Sequence, residues 1–366
     1  MPRIARVEAS LHRVPVEVPL LPGTRPVPVV VVRVDSDDGH VGYGVAGPMH
    51  SGPVLDFINR QLAPYAVGRE FLDSEELSHA VEQRFNARAM SGVVSSGISG
   101  LDIALWDLRG KVLGQPVWRL LGGFSRHVAA YVTFGLPEYN VDQLVDAARL
   151  AVSRGFTRLK MVVGRPAGVL DDVDRVRHVR AAVGDAVNLM IDANEGLDLL
   201  QATELARRVQ PFDIAWFEEP VLGNDVRLLA ELRQRTSIPI AAGQFEGHRY
   251  RLRDLVLGNA VDVLQTNVLF VGGYSAALKA AHVAESLRLP IANGGGWADH
   301  NAPLMAAVAN SHGVEVHAWQ WTLAETLYVD PPRAADGRLT LSDRPGLGLE
   351  PRPDVLRDTR AASIEY

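Results

Sequence analysis

The sequence predicts an α/β protein: a modified (β/α)8 TIM-type barrel with an α+β capping domain, which the N-terminal region and the C-terminal segment form together. Two observations support this prediction. Short apolar, β-branched runs alternate with helical patterns after residue 123, whereas strand patterns precede helical patterns before it. Alternation of strands and helices is typical of a parallel sheet, and strands followed by helices indicate an α+β domain.

The capping domain is predicted to span residues 1–125. Residues 29–34 form a β-branched run, and the turn residues of 35–39 separate it from a second short run at 41–44. This pattern predicts a β-hairpin. Residues 53–121 then carry apolar side chains at helical spacing, which predicts the helices of the domain.

The barrel is predicted to span residues 126–322. Because each strand of such a barrel is followed by a helix, eight strand candidates separated by helical patterns meet its requirement. The last segment, 323–366, is rich in proline and poor in strand patterns, and we expect it to return to the cap. The eight strand candidates are 128–134, 158–163, 187–192, 214–218, 238–242, 261–265, 289–292 and 314–318.

Composition excludes several classes of protein. The chain has 366 residues, 47% of them hydrophobic, and a net charge of −6 with both signs interspersed. The sequence has no basic tract of the kind that predicts binding to nucleic acid, and no apolar run of membrane-spanning length. The absence of cysteine excludes thiolate metal sites and disulfides. The first residues lack the apolar core of a signal peptide, so we expect a cytoplasmic protein. We also expect a homo-oligomer.

Three oxygen-bearing side chains recur at one step along the predicted barrel. Asp192, Glu218 and Gln244 are each 26 residues apart, which is about one strand-helix unit, so they would converge at one end of a parallel barrel. Carboxylate and amide oxygens suit a hard divalent ion such as Mg²⁺. Gln244 contributes no charge, and Glu246 lies two residues further on. Either residue is therefore a candidate third ligand beside Asp192 and Glu218.

Longer motifs then resemble a known family, and they span nearly the whole chain in that family's order. The segment 97–123 resembles the end of the capping domain of the enolase superfamily. Four further motifs resemble the mandelate racemase-like branch of that superfamily. They are Asp192-Ala-Asn, Trp216-Phe-Glu-Glu-Pro220, Val271-Gly-Gly273 and Pro345-Gly-Leu-Gly-Leu-Glu350.

The resemblance implies a chemistry as well as a fold. It implies a Mg²⁺ ion that binds the carboxylate of a small acid substrate. It also implies removal of the proton α to that carboxylate, giving a metal-stabilised enediolate. A base alone removes so weakly acidic a proton slowly, and a divalent cation offsets the charge that develops. Dehydration of a sugar acid or another small hydroxy acid is the leading expectation.

The residues that supply the base in this branch differ here. Where the family often has Lys-x-Lys on the second strand, this chain has Lys160 and Val162. Where it commonly has an Asp and a His on the sixth and seventh strands, this chain has Asn267 and Asn293. Lys160 is either the base or a ligand of a substrate oxygen. The two asparagines are either hydrogen-bond donors to substrate or structural amides.

Other candidates follow strands or lie in cap loops. His300, after the last glycine run, is predicted to be the catalytic partner of Lys160. His50, in a cap loop, and Asn194, next to the ligand strand, are predicted to contact substrate. Glu219 is expected to support the metal ligands from behind. His317 shares one face of the last predicted strand with Glu315, and a packed barrel residue is the preferred interpretation.

Three functions stay open at this point. The first is a Mg²⁺-dependent hydro-lyase of the acid-sugar dehydratase type. The second is a racemase, epimerase or cycloisomerase of a carboxylic acid, for which Lys160 opposite His300 would provide two bases. The third is a non-catalytic descendant that binds metal and acid, which Val162, Asn267 and Asn293 favour.

Overall fold

The computed structural model describes residues 1–85 and 92–361. The chain begins with an antiparallel sheet of three strands in the order β1-β2-β3. Val32 is the register partner of Gly44, so the predicted hairpin of 29–34 and 41–44 is confirmed. The strands are β1 (Ile4–Glu17), β2 (Thr24–Ser36) and β3 (Val41–Ala46).

Helices cover one face of this sheet. The central helix, α4, approaches β3 so closely that a Cβ atom on Gly44 would lie 2.4 Å from the carbonyl oxygen of Gly100. Glycine is therefore required at this contact, because no side chain fits between the two backbones. The cap helices are α1 (Ser51–Phe57), a π-turn (Ile58–Leu62), α2 (Ala63–Ala66), α3 (Ser74–Phe85), α4 (Val93–Val112) and α5 (Val117–Leu120).

The following eight strands form a closed parallel barrel, as the sequence predicts. Each strand pairs with its neighbour in sequence, and the last strand pairs with the first through Val314 and Ala130, which closes the cylinder. The strands are β4 (His127–Gly135), β5 (Arg158–Val162), β6 (Asn188–Asp192), β7 (Ile214–Glu218), β8 (Ile240–Ala242), β9 (Val263–Thr266), β10 (Ile291–Asn293) and β11 (Ser311–His317).

Helices connect the strands around the outside of the barrel. Asn140 and Asp198 begin two of them with complete capping boxes, which satisfy backbone N–H groups that a helix start leaves unpaired. No helix in the described ranges is long and apolar enough to cross a membrane. The connecting helices are α6 (Val141–Ser153), α7 (Val169–Val183), α8 (Leu199–Val209), α9 (Val226–Arg235), α10 (Arg249–Leu257), α11 (Gly273–Ser286) and α12 (Ala298–Ala307).

Large side chains fill the barrel interior below the carboxyl ends of its strands. The rings of Tyr131 and Trp216 meet edge to face with centroids 5.1 Å apart. Because alternate residues of a strand point inward, the next inward residues lie nearer the carboxyl ends of the strands. The polar residues of those positions therefore collect above an apolar floor. The floor consists of Tyr131, Met190, Trp216, Ala241, Val263 and Ala292.

The chain returns to the cap after the barrel. The backbone N–H of Ala361 donates to the carbonyl of Leu11 over 2.9 Å, and His12 Nδ1 lies 3.2 Å from Thr359 Oγ1. The limits 1–125, 126–322 and 323–366 remain predictions, and residues 362–366 lie outside the described residues. The last elements are α13 (Trp321–Leu327), β12 (Tyr328–Val329), β13 (Ala334–Ala335), β14 (Arg338–Thr340), β15 (Glu350–Pro351) and α14 (Pro353–Thr359).

Candidate active site at the carboxyl ends of the barrel strands

One lysine lies at the centre of the barrel mouth. Lys160 is fully buried, and its Nζ atom is 3.0 Å from Asp192 Oδ2 and 2.8 Å from Glu315 Oε1. It also donates a hydrogen bond to Oε1 of Glu218. A lysine ammonium has three N–H donors, and here three carboxylates accept them. Lys160 therefore has no donor left for a further partner in this arrangement.

Strand register brings the carboxylates together. Asp192 ends β6 and Glu218 ends β7, and the two are register partners in the parallel ladder. Lys160 lies on the adjacent strand β5, where its register partner on β4 is Thr133. On β6 the register partner of Lys160 is Met190, two residues before Asp192, and the long lysine side chain extends to both carboxylates. The three side chains therefore meet in one volume.

Burial and mutual charge govern the proton affinities of this cluster. Burial alone would lower the pKa of Lys160, but the carboxylates of Asp192, Glu218 and Glu315 outweigh it and raise that pKa well above its ordinary value. Burial, and next the charge of Asp192, raise the pKa of Glu218 well above its ordinary value. The ammonium is thus held in its charged form while one carboxylate resists ionisation.

The cluster has the composition of a cation site. Three carboxylates surround one ammonium, so full ionisation leaves two buried negative charges unbalanced, and a divalent cation would neutralise them. Asp192 Oδ2 and Glu218 Oε1 already share one cationic partner, the Lys160 Nζ atom. Among the described residues, no three acidic or histidine side chains are arranged to hold a metal by themselves.

Gln244 is a buried neutral side chain next to Glu219. It is 2% exposed, and its Nε2 donates to Glu219 Oε2 over 2.7 Å, which turns its carbonyl oxygen away from Glu219. Burial, and next the charge of Asp192, raise the pKa of Glu219 to about 7. Glu219 also accepts from Asn224 Nδ2 at 3.0 Å. Glu219 thus joins Gln244 to Asn224, and its expected support of the metal ligands stays a prediction.

Glu246 has a different partner. Its carboxylate accepts from Arg251 Nε at 3.2 Å, and its own backbone turns back toward Gly243. β8 ends at Ala242, so Gln244 and Glu246 both lie beyond the strand. Which of the two is the third ligand stays a prediction.

Glu315 and His317 on the last strand complete the cluster, and the sequence reasoning assigned neither a role in the site. Glu315 Oε1 also accepts from the Thr133 hydroxyl, and Oε2 accepts from the Gly296 N–H at 2.8 Å. His317 Nε2 lies 3.3 Å from Glu315 Oε1, and its Nδ1 accepts from Trp319 Nε1 at 3.1 Å. The alternation of Glu315 and His317 was the available signal, because both face the barrel interior.

Neighbouring charges also shift the pKa of Glu315. Burial by itself would raise the pKa of Glu315, but Lys160 and then His317 lower it well below its ordinary value. His317 is 21% exposed, whereas the side chains of Lys160 and Glu315 are fully buried. Trp319, His317, Glu315 and Lys160 thus form one continuous series of contacts. Within this series, His317 is the ionisable side chain that is partly exposed.

Asn267 and Asn293 do not offer free amides to a substrate. Asn267 Nδ2 donates to the carbonyl of Gly294 at 2.8 Å, and its Oδ1 accepts from the Leu269 N–H at 3.0 Å. Asn293 Nδ2 donates to Gly294 at 2.7 Å, and its Oδ1 accepts from the Glu315 N–H at 3.0 Å. Of the two roles that the sequence left open, these contacts favour the structural one: the amides hold the glycine turn after β10.

His300 makes no hydrogen bond or ion pair with Lys160, Asp192, Glu218 or Glu315, all of which the structure describes, but it lines one cavity together with His317. It is in α12, it is 2% exposed, and its Nε2 lies 3.0 Å from the hydroxyl of Tyr328. Burial lowers the pKa of His300 to about 4. The ring packs against Trp297 and Tyr328, so its predicted place opposite Lys160 stays a prediction.

The other two predicted contact residues lie at the rim. Asn194 is exposed in the left-handed region at φ 45°, and its backbone N–H donates to Asp192 Oδ1 at 2.8 Å. This bond orients the aspartate. His50 is exposed at φ 57° and immediately precedes α1. No contact in the structure joins His50 to Asp192, Glu218 or Lys160.

Gln265 was missed altogether. It lies on β9 with no exposed surface, and neither its Oε1 nor its Nε2 has a hydrogen-bond partner within the described residues. A Cβ atom on Gly294 would lie 3.1 Å from Gln265 Nε2 and 2.9 Å from Gln244 Oε1. The two amides therefore share the space beside this glycine. A buried amide without partners is costly.

The fold and the site together define a class of protein, a capped parallel barrel with a cluster of carboxylates around a lysine at its strand ends. The chain belongs to the enolase superfamily, in its mandelate racemase/muconate lactonizing enzyme branch. Residues 4–122 match the mandelate racemase/muconate lactonizing enzyme N-terminal domain. Residues 143–355 match the enolase C-terminal domain-like family.

The relatives differ from one another in the reaction that their names give. Arabinonate dehydratase of Saccharolobus solfataricus is 30% identical over 92% of this chain and 92% of its own length. A racemase from Streptomyces coelicolor with bound magnesium superposes with a TM-score of 0.89 at 29% identity, over 98% of this chain and 100% of that one. L-Talarate dehydratase from Polaromonas sp., complexed with Mg and L-glucarate, has a TM-score of 0.86 at 30% identity and covers 99% and 98%.

Proposed function

We propose that this protein is a Mg²⁺-dependent hydro-lyase that dehydrates a sugar acid or another small hydroxy acid. The proton α to the carboxylate and the hydroxyl on the next carbon leave as water, and the resulting enol becomes a 2-keto-3-deoxy acid. One observation carries the proposal: Asp192 and Glu218, at adjacent strand ends, share one cationic partner. The dehydratases among the relatives support the same substrate class.

Asp192, Glu218 and the carbonyl oxygen of Gln244 are the residues that would hold Mg²⁺. When bound, the ion supplies positive charge for the carboxylate of the substrate. Asn224 and Gln244 hold Glu219 behind these ligands, so the oxygen atoms are oriented before substrate arrives. His50 and Asn194, at the rim, remain proposed substrate contacts.

Lys160 serves as a fixed positive charge in this proposal, and not as the base. Its three N–H donors are taken by Asp192, Glu218 and Glu315, so it presents no lone pair to a substrate. It balances part of the acidic charge and aligns the carboxylates. An ammonium in such a position also favours an anionic substrate over a neutral one.

His317 is the side chain that we infer to carry the transferred proton. It is partly exposed, it contacts Glu315, and it accepts a hydrogen bond from Trp319. A carboxylate beside one ring nitrogen stabilises the cationic ring that forms when the other nitrogen takes up a proton. The donor from Trp319 must move aside for that step. Gln265 is placed to receive a substrate oxygen, since both of its polar atoms lack partners.

An isomerase is the second candidate. Its first step, removal of the α-proton, is the same, and the magnesium-bound racemase among the structural relatives supports it. Racemisation requires a proton-carrying group on each face of the substrate. Since Lys160 is fully engaged, a one-base cycloisomerisation fits the cluster better than a racemisation.

A library of acid sugars separates these reactions. Incubation with Mg²⁺ should yield 2-keto-3-deoxy acids from at least one member, and Asp192→Asn and Glu218→Gln should abolish both turnover and Mg²⁺ binding. Glu204→Gln, on the exposed surface of α8, is the matched control and should be silent. Exchange of the α-proton with deuterium without dehydration would favour the isomerase. No exchange and no product would leave a protein that only binds metal and acid.

Two further expectations complete the proposal. We infer a cytoplasmic protein, as expected from the sequence. We also infer a homo-oligomer, as expected from the sequence. Light scattering coupled to size-exclusion chromatography tests the second inference, and a monomer at micromolar concentration would contradict it.

A further inference from the structure

A cavity lies between the cap and the barrel, and none of its lining residues belongs to the strand-end cluster. Helices α3 and α4 form one wall, and the segments after β8 and β9 form the other. Most of the surface is apolar, so a ligand that fills this cavity has a hydrocarbon body. The apolar lining is formed by Leu77, Val81, Ile98, Leu101, Val271 and Ala276.

One charged side chain in this lining is incompletely satisfied. Arg109 is 3% exposed, and its Nε donates to the carbonyl of Phe71. Its NH1 atom has no hydrogen-bond partner, and no carboxylate of the described residues forms an ion pair with it. Asp102 and Asp73 attract its charge from beyond ion-pair distance. The guanidinium carbon also lies 5.0 Å from the centroid of the Trp106 ring, so NH1 is the one donor known to be unsatisfied. A buried donor without an acceptor is unfavourable.

The other charged groups of the cavity are already paired. Asp102 accepts from the hydroxyl of Ser275 at 2.6 Å and from its N–H at 3.0 Å. Glu82 accepts from Arg249 NH2 at 2.8 Å, and His248 lies 3.8 Å from the same carboxylate. Arg109 is therefore the lining cation whose donor is left over.

We propose that this cap–barrel cavity binds a small aliphatic carboxylic acid, whose carboxylate pairs with Arg109 and whose chain packs against the apolar wall. Arginine NH1 and a carboxylate form a charge-assisted hydrogen bond, which is among the stronger contacts available to a buried donor. The inference goes beyond the proposed function, because no residue of the cavity belongs to the strand-end cluster. The ligand would contact both walls and so join the cap to the barrel.

Butanoate, hexanoate and octanoate are the probes, with hexanamide as the neutral control. Calorimetry on the intact protein should detect binding of at least one acid, and the amide should bind about tenfold more weakly or worse, since it lacks the charge. Arg109→Met should weaken acid binding by at least about tenfold and leave amide binding unchanged. Arg60→Met, an exposed cap arginine, should change neither.

A second variant covers the case in which Arg109→Met fails to fold. Ser78→Leu fills the cavity from α3 and should abolish binding of acid and amide alike, whereas His79→Leu, exposed on the same helix, should not. Asp192→Asn should retain acid binding in full, which separates this site from the strand-end cluster. No binding of any acid at millimolar concentration would overturn the proposal, as would equal binding by Arg109→Met or loss of binding in Asp192→Asn.

Discussion

The Lys160 ammonium lies 2.8 Å from Glu315 Oε1, so a lysine on β5 and a glutamate on β11 are in direct contact across the mouth of the barrel. The barrel closes because β11 pairs with β4, which is the neighbour of β5. This contact consumes one of the three donors of Lys160. It also joins the predicted metal ligands to His317 through an uninterrupted series of side chains.

Replacement of Lys160 by Met is expected to destabilise the metal-free protein by about 3–5 kcal/mol, because three buried carboxylates lose their shared cation. Mg²⁺ should then raise the thermal midpoint of the variant more than that of the native protein, since the cation replaces the missing charge. Urea unfolding with a chelator, and thermal unfolding with added Mg²⁺, measure the two effects.

The control for that prediction is Lys279→Met, which removes an exposed lysine that is 2.8 Å from Glu75. An exposed ion pair contributes about 0–1 kcal/mol, so this variant should unfold close to the native protein. Equal stability of both variants in chelator would show that the ammonium is not needed to hold the carboxylates together.

Replacement of His317 by Asn should lower exchange of the substrate α-proton about 10²–10⁴-fold, because a positioned proton carrier contributes about that factor. Stability should change little, since the ring is partly exposed. His300→Gln is the matched control, because His300 is buried against Tyr328 and should leave the exchange rate near that of the native enzyme. Deuterium incorporation followed by NMR gives both rates, and a larger loss at His300 would return the proton-carrying role to that residue.

Replacement of Gln265 by Leu should stabilise the substrate-free protein by about 1–3 kcal/mol and raise KM by about tenfold or more. The first effect follows because an unsatisfied buried amide is removed, and the second because a substrate oxygen loses its partner. Asn267→Leu provides the contrast: its amide bonds to Gly294 and Leu269, so it should destabilise. If Gln265→Leu also destabilises the protein, its amide belongs to the packing and not to the substrate site.

Acid should weaken the fold through His300. Its pKa is lowered by burial from 6.5 to about 4, so below pH 6.5 the unfolded chain takes up a proton that the folded chain does not. The free energy of unfolding therefore falls as the pH drops from 6.5 to about 4, by at most about 1.4 kcal/mol per pH unit. His300→Gln should flatten this slope in urea titrations. The exposed His127→Gln should leave it unchanged, and an unaltered slope in His300→Gln would contradict the assignment.

Strand order was predictable from the sequence. Apolar β-branched runs and helical periodicity are local signals, and the eight strands that they predict are all present. The strand pattern predicted Asp192 and Glu218 at strand ends, and their spacing predicted that they converge, because the carboxyl ends of parallel strands meet at one rim. Gln265 escaped notice, since a glutamine in an apolar strand shows no pattern until its lack of partners is visible.

Side-chain direction was not readable in the same way. The choice between Gln244 and Glu246 depends on how the chain runs after β8, which ends at Ala242, and the sequence pattern does not show that. His300 was predicted to be the catalytic partner of Lys160, but it lies in α12 and its ring contacts Tyr328. A single turn of backbone redirects a side chain by more than its sequence position can indicate.

The sequence by itself determined the capped barrel, the acidic strand ends and the absence of the usual bases at Val162, Asn267 and Asn293. Only the tertiary structure decided that Lys160 is enclosed by three carboxylates and that His317 is the exposed end of the cluster. The physical reason is barrel closure. It brings β11 beside β4, and the charge and hydrogen bonding of Lys160 depend on that distant strand as much as on its own neighbours.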